Sequence, residues 1–218
     1  MSRPALSLAL LLAIAGGAQA EEFRLLRLGG LYVKWASPAL GAPASVSWGL
    51  AAAPEPSPDA RNCRDLQPLG ALPGVDPARL RAVAATAFAM WSRAAGIAFR
   101  PAPEGQRPDI LIGAQPGMRR IAYADVRPDP AAAEGEVAPI ARATICLDPE
   151  ADWGGEFDLV TVLAHEIGHT IGLDHPGATG ALMGYQNQGP LAALLPGDVA
   201  GARTLYGPPK TVTLARAN

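Results

Sequence analysis

The sequence predicts a domain of the α+β class. Three observations carry that expectation: strand-like alternation near the start and again through the middle of the chain, one long helix with an apolar stripe, and a second well-capped helix after the last strand. With 218 residues the chain is long enough for one domain with a proper core and too short for two ordinary domains plus a leader. A composition of 49% hydrophobic and 17% charged residues reads as folded, while 22 prolines and 24 glycines imply a generous share of loop. The formal net charge of -2 gives no electrostatic argument for nucleic acid or an anionic membrane as a partner.

The chain opens with Arg3, an apolar run from Ala5 to Ala15, and Ala18-Gln19-Ala20, an A-x-A cleavage pattern. Residues 1–20 are therefore expected to be a Sec-type signal peptide cleaved after Ala20, giving a secreted or periplasmic protein with a domain at 21–207 and a loose polar tail at 208–218. The apolar run falls short of the roughly 20 residues a spanning helix needs, so no membrane association is expected after cleavage. Export would place Cys63 and Cys146 in an oxidising compartment, where an even count favours a Cys63–Cys146 disulfide.

Tyr32 to Trp35 and Ser45 to Leu50 alternate small polar and apolar residues and read as strands. Residues 51–74 read as a long loop carrying Cys63. Asp76-Pro77 supplies an N-cap and a proline at the first helical position, and Gly96 is expected to end the helix as a left-handed C-cap. Within it Leu80, Val83, Ala87, Met90, Trp91 and Ala94 form one apolar stripe, which is core. Further strands are expected at Ile97–Arg100, Asp109–Gly113, Arg120–Val126 and Ala143–Leu147, with a loop over 127–141 and turns over 148–157. Asp158 then caps a helix from Leu159 to Ile171.

That helix holds the informative stretch, His165-Glu166-Ile167-Gly168-His169-Thr170-Ile171-Gly172-Leu173-Asp174-His175, which fits H-E-x-x-H-x-x-G-x-x-H at every fixed position. Residues four apart share a helix face, so His165 and His169 can direct imidazole nitrogens at one ion. Glu166 points about a quarter-turn away and is better placed for a metal-bound water than for the metal, the geometry of a general base. Gly172 can take the positive φ that returns His175 as third ligand. Three ligands with an open fourth position describe a catalytic zinc site, and the implied reaction is peptide-bond hydrolysis without a covalent intermediate. All three histidines of the chain fall at ligand spacings, which argues against chance.

With these residues the sequence resembles the metzincins, and among them the matrixin branch of matrix metalloproteinase-like enzymes, particularly bacterial secreted forms. Lys34-Trp35, Ala89-Met90-Trp91-Ser92, Asp109 to Ile112 and the segment from Asp198 to Leu205-Tyr206-Gly207 occur in the family's order. The resemblance implies a twisted mixed sheet of about five strands, a backing helix from Asp76 to Ala95 and the active-site helix under a cleft. Arg120 to Val126 would be its edge strand, to which an extended protein or peptide substrate could add. It also implies a Met-turn, with Met183 beneath the zinc, and Tyr185 resembles a tyrosine that approaches the metal in astacins and serralysins. Asp198 is expected to open and cap the last helix.

No P-R-C-G-x-P-D cysteine switch precedes the domain, and with no fourth histidine a second zinc is not expected. Asp125, Asp129, Glu134, Glu136, Asp148 and Glu150 could offer oxygen ligands to Ca2+, but no D-x-D-x-D-G loop is present and solvated surface acids are the simpler reading. The rivals to a zinc endopeptidase are a secreted module that retains zinc without turnover, against which Glu166 argues, and a metalloprotease of another metzincin branch. A monomer is the default.

Overall fold

The computed structural model describes residues 23–70, 72, 75–153, 155, 157–177, 181–184 and 193–210. The expected signal peptide, most of the tail and Tyr185 lie outside the described residues.

Nine elements frame the domain: β1 (Leu31–Lys34), β2 (Ala44–Leu50), α1 (Pro77–Ala94), β3 (Ile97–Pro101), β4 (Ile110–Ala114), β5 (Ala122–Pro128), β6 (Val137–Leu147), α2 (Leu159–Thr170) and α3 (Pro196–Tyr206). The strands β3, β2, β4 and β6 lie side by side in that order and all parallel, and β5 closes the sheet antiparallel to β6. This is the predicted mixed sheet, with β5 at its edge. It is extended by β1, parallel to the first half of β6, and by the short strand Arg27–Leu28 beyond it, so the sheet has seven strands instead of about five.

Strand alternation sorts residues between the two sheet faces. Val46, Trp48, Ile110, Ile112, Ala143, Ile145 and Leu147 face the helices, where Phe88 of α1 stacks on Trp48 at 4.9 Å between ring centroids. Trp91 joins α1 to α2 by donating its indole N–H to the Ala164 carbonyl at 2.9 Å. On the opposite face Ala51, Leu66 and Leu111 form a smaller cluster around Cys63 and Cys146, which are joined by a disulfide with Cα atoms 5.6 Å apart. The bridge ties loop 51–74 to the central strand, and the loop carries a small ladder of its own between Glu55–Pro56 and Asp65–Leu66.

Three local expectations are corrected. Gly96 is not a left-handed cap: α1 ends at Ala95 in extended conformation, φ -142°. Glycine is needed at 96 because a Cβ there would lie 2.3 Å from the Tyr206 carbonyl oxygen. The expected loop at 127–141 is largely strand. Its turn is confined to a short 3-10 turn at Pro130–Ala132 and to Gly135, φ 58°. Pro139 is compatible with β6 because a proline lacks only the N–H donor, and its carbonyl accepts from Asp129 N–H at 2.8 Å. Finally, Asp198 does not open α3, which begins at Pro196 after Leu195.

Candidate metal centre

Helix α2 starts where Asp158 accepts from Thr161 N–H at 2.7 Å, as its sequence predicts. Its apolar residues Leu163, Ala164 and Ile167 are fully buried, which fixes the rotation of the helix and turns His165 and His169 toward the cleft. His165 Nδ1 lies 2.7 Å from the Leu182 carbonyl and His169 Nδ1 2.9 Å from the Leu173 carbonyl. A carbonyl only accepts, so each Nδ1 carries the hydrogen and each Nε2 presents its lone pair outward.

The chain must then reverse to bring back the third histidine. Gly172 has φ 101°, and a Cβ there would sit 2.1 Å from the Val33 carbonyl oxygen, so both conformation and space require glycine. The last carbonyls of α2, which have no partner within the helix, are met from distant parts of the chain. Trp35 Nε1 donates to Thr170 O at 2.8 Å, and the Tyr206 hydroxyl donates to Ile171 O at 2.7 Å while accepting from Trp35 N–H at 2.9 Å. Leu173–Asp174 pairs antiparallel with Arg24–Leu25, which delivers His175.

The ligand atoms of His165, His169 and His175 lie within 4.8 Å of one another, and the Nε2 atoms of His165 and His175 are 3.1 Å apart. Nitrogens bound tetrahedrally to zinc at about 2.0–2.1 Å would be about 3.3 Å apart, so this donor set fits that ion. Burial pulls His169 down to about 3 and His175 to about 4, each helped by the charge of His165, and burial also lowers His165. The imidazoles are thus held neutral, the state a metal ligand needs. Glu166 is buried beside them, and burial pushes its carboxyl up to about 8.

Met183 is buried beneath this group: a Cβ on Gly168 would lie 2.2 Å from its sulfur, which explains the glycine between the two helical histidines. Sequence reasoning missed what holds that turn. The buried Asp198 carboxylate accepts from the N–H groups of Leu182 at 2.8 Å and Met183 at 3.1 Å, and from Leu195 at 3.0 Å. Its signal was present: Asp198, Ala202 and Leu205 are spaced along one buried face of α3. The acids considered for calcium are dispersed. Asp125 accepts from Asn62 and Cys63 N–H, Asp129 from Ala131 N–H, Asp148 from Glu150 N–H, and Glu136 faces Arg27. Among the described residues the three histidines alone gather His, Cys, Asp or Glu ligand atoms at such distances.

The histidines and Glu166 open into a cleft of about 1070 Å³ whose wall is the edge strand β5. Fold and centre together are those of a metzincin-type metallopeptidase domain. The family model described as Matrixin matches residues 70–207, more than half of the chain, and the chain belongs to that family. It is similar to matrix metalloproteinase-19 of Mus musculus, 32% identical over 59% of this chain and 25% of that protein. It is also similar to interstitial collagenase of Oryctolagus cuniculus, 30% identical over 56% of this chain and 27% of that one. Karilysin of Tannerella forsythia is 29% identical over 59% of this chain and 29% of its own length. The matched region thus spans between a quarter and a third of these relatives.

Proposed function

We propose that this chain is an exported zinc-dependent endopeptidase. His165, His169 and His175 hold the metal, Glu166 is the general base, Met183 forms the floor, and residues 21–207 act as the catalytic unit after loss of residues 1–20. The observation that carries the reading is the convergence of one ligand atom from each of three imidazoles within 4.8 Å, with Glu166 buried next to the first of them. Zinc bound there supplies Lewis acidity: it polarises a scissile carbonyl and lowers the pKa of water to about 7.

The chain's own residues do the rest. The Glu166 carboxylate takes the proton of the attacking water and delivers it to the leaving amine nitrogen as the C–N bond breaks. Burial alone favours its protonated form, and a dication held by the three histidines would favour the carboxylate. An extended peptide is held by main-chain hydrogen bonds along the free edge of β5, which orients the scissile bond over the histidines.

The test is cleavage of a denatured protein by the purified chain with zinc, with a chelator, and as the Glu166→Ala variant, with metal content measured in each sample. The variant is expected to keep zinc and lose activity by a factor of about 10²–10⁴, the usual share of a general base. A folded, zinc-loaded wild type that cleaves nothing would overturn the reading. Export predicts that protein recovered outside the cytoplasm begins at Glu21, which N-terminal sequencing reads directly.

A further inference from the structure

The cleft does not end at the histidines. It continues around β5 to the outer face of the sheet, where it is lined by Arg107, Arg127 and Arg142 beneath the wall formed by loop 51–74. Arg127 and Arg142 are direct partners across the β5–β6 ladder, so they project from the same face. It is the face of Cys146, because Arg142 and Cys146 are four residues apart on one strand. Like charges directly opposite destabilise a strand pair, yet among the described residues neither arginine is within ion-pair distance of a carboxylate. Of the acids at this end, Glu55 is paired with Arg107, Asp125 is taken up by Asn62 and Cys63 N–H, and Asp59 stands exposed on the loop rim.

Arg107 feels the crowding. It lines the same part of the cleft as Arg142 while paired with Glu55, and burial and the charge of Arg142 both lower its pKa. The other end of β5 faces the histidines: Arg120, two residues before the strand, lines the cleft together with His165, His169 and His175. From Ala122 to Arg127 the strand advances five residues, about 17 Å at about 3.3 Å each.

We propose that Arg127 and Arg142, with Arg107 beside them, form a distal subsite that selects an acidic side chain in the peptide substrate. This deepens the endopeptidase reading and rests on it. A peptide lying along the free edge of β5 places the residue opposite Arg127 on the arginine face of the sheet. That residue is about four to six positions from the bond held at the histidines, by the strand rise given above. A carboxylate there pairs directly with the two arginines, and guanidinium groups suit it by their planar donor geometry.

The test scans one Glu, Gln or Lys through an otherwise neutral fluorogenic peptide and reads kcat/KM at each position on both sides of the cleaved bond. Glu is expected to exceed Gln about three- to tenfold at a single position within that window, with Lys poorer than Gln. The ratio falls toward one in 0.5 M NaCl, where screening acts over about 4 Å. Arg127→Gln, an exposed change that leaves the core intact, reduces the Glu-to-Gln ratio, and Arg127→Glu with Arg142→Glu reverses it in favour of Lys. Anisotropy of the same labelled peptides on zinc-loaded Glu166→Ala protein reports binding without turnover. A wild type that cleaves no peptide overturns the endopeptidase reading, and the binding arm still decides the subsite. Equal treatment of Glu and Gln in both arms overturns the subsite.

Discussion

Lys34 is fully buried, with its ammonium donating to the carbonyls of Trp35 and Ser37 and lying 5.1 Å from the centre of the Tyr206 ring. Burial pulls its pKa from 10.5 down to about 8. The unfolded chain keeps this proton to higher pH than the folded one, so unfolding takes up a proton between those values and stability rises with pH across the window. Below about 8 the penalty is present in full. Unfolding in urea at pH 7.5 and 9.5 is expected to show a gain of roughly 2 kcal/mol from this group at the higher pH, absent in Lys34→Met. An equal gain in the variant would mean that another group is responsible. Burial raises the Tyr206 pKa far above its ordinary value, and its opposing effect begins only above about pH 10, where an unfolded tyrosine ionises. Nothing in the residue type announces this burial. The candidate metal site was legible because its chemistry is local: His165, Glu166, His169, Gly172 and His175 sit within one helix and its exit turn.

At the scale of elements, the C-terminus of α2 is the critical joint, because the chain turns there from two ligands to the third. Tyr206→Phe keeps the ring and removes the hydroxyl, leaving Ile171 O and Trp35 N–H unpaired in the interior. The expected cost is about 2 kcal/mol, read as a lower urea midpoint, with weaker zinc retention at equal folding because the hinge loosens. Unchanged stability would show that water replaces the hydroxyl. The starts of α1 and α2 were well predicted, since Asp76 and Asp158 cap within their own first turns. The conformation that ends α1 was not, because the constraint on Gly96 comes from Tyr206, which is 110 residues away in sequence. Pro139 misled for a similar reason: whether a proline breaks a strand depends on which neighbour its nitrogen faces, and Pro139 faces the turn at Asp129 while Glu136 bonds β1.

For the whole molecule, the disulfide closes a separation of 83 residues and fastens loop 51–74 over the outer face of the sheet. Removing it by Cys63→Ser with Cys146→Ser is expected to lower stability by about 2–5 kcal/mol in denaturant titration. Zinc content of the folded fraction should hold, since the histidines lie on the helix side of the sheet and the bridge on the other. Loss of zinc in step with the bridge would show that the loop supports the metal centre through β5. The arginine end of the cleft should suffer first, because this loop is its wall.

The sequence by itself determined the helices, most of the strands and the metal motif, because periodicity, capping and ligand spacing act over a turn or two of chain. It also determined the family, through residues that recur in order. Only the tertiary structure decided what supports and extends the centre. Asp198 clamps the methionine turn, Trp35 and Tyr206 finish helix α2, and Arg127 meets Arg142 across a ladder. Each of these joins residues far apart in the chain, and hydrogen-bond partners and cross-strand neighbours are set by packing, which no local pattern encodes.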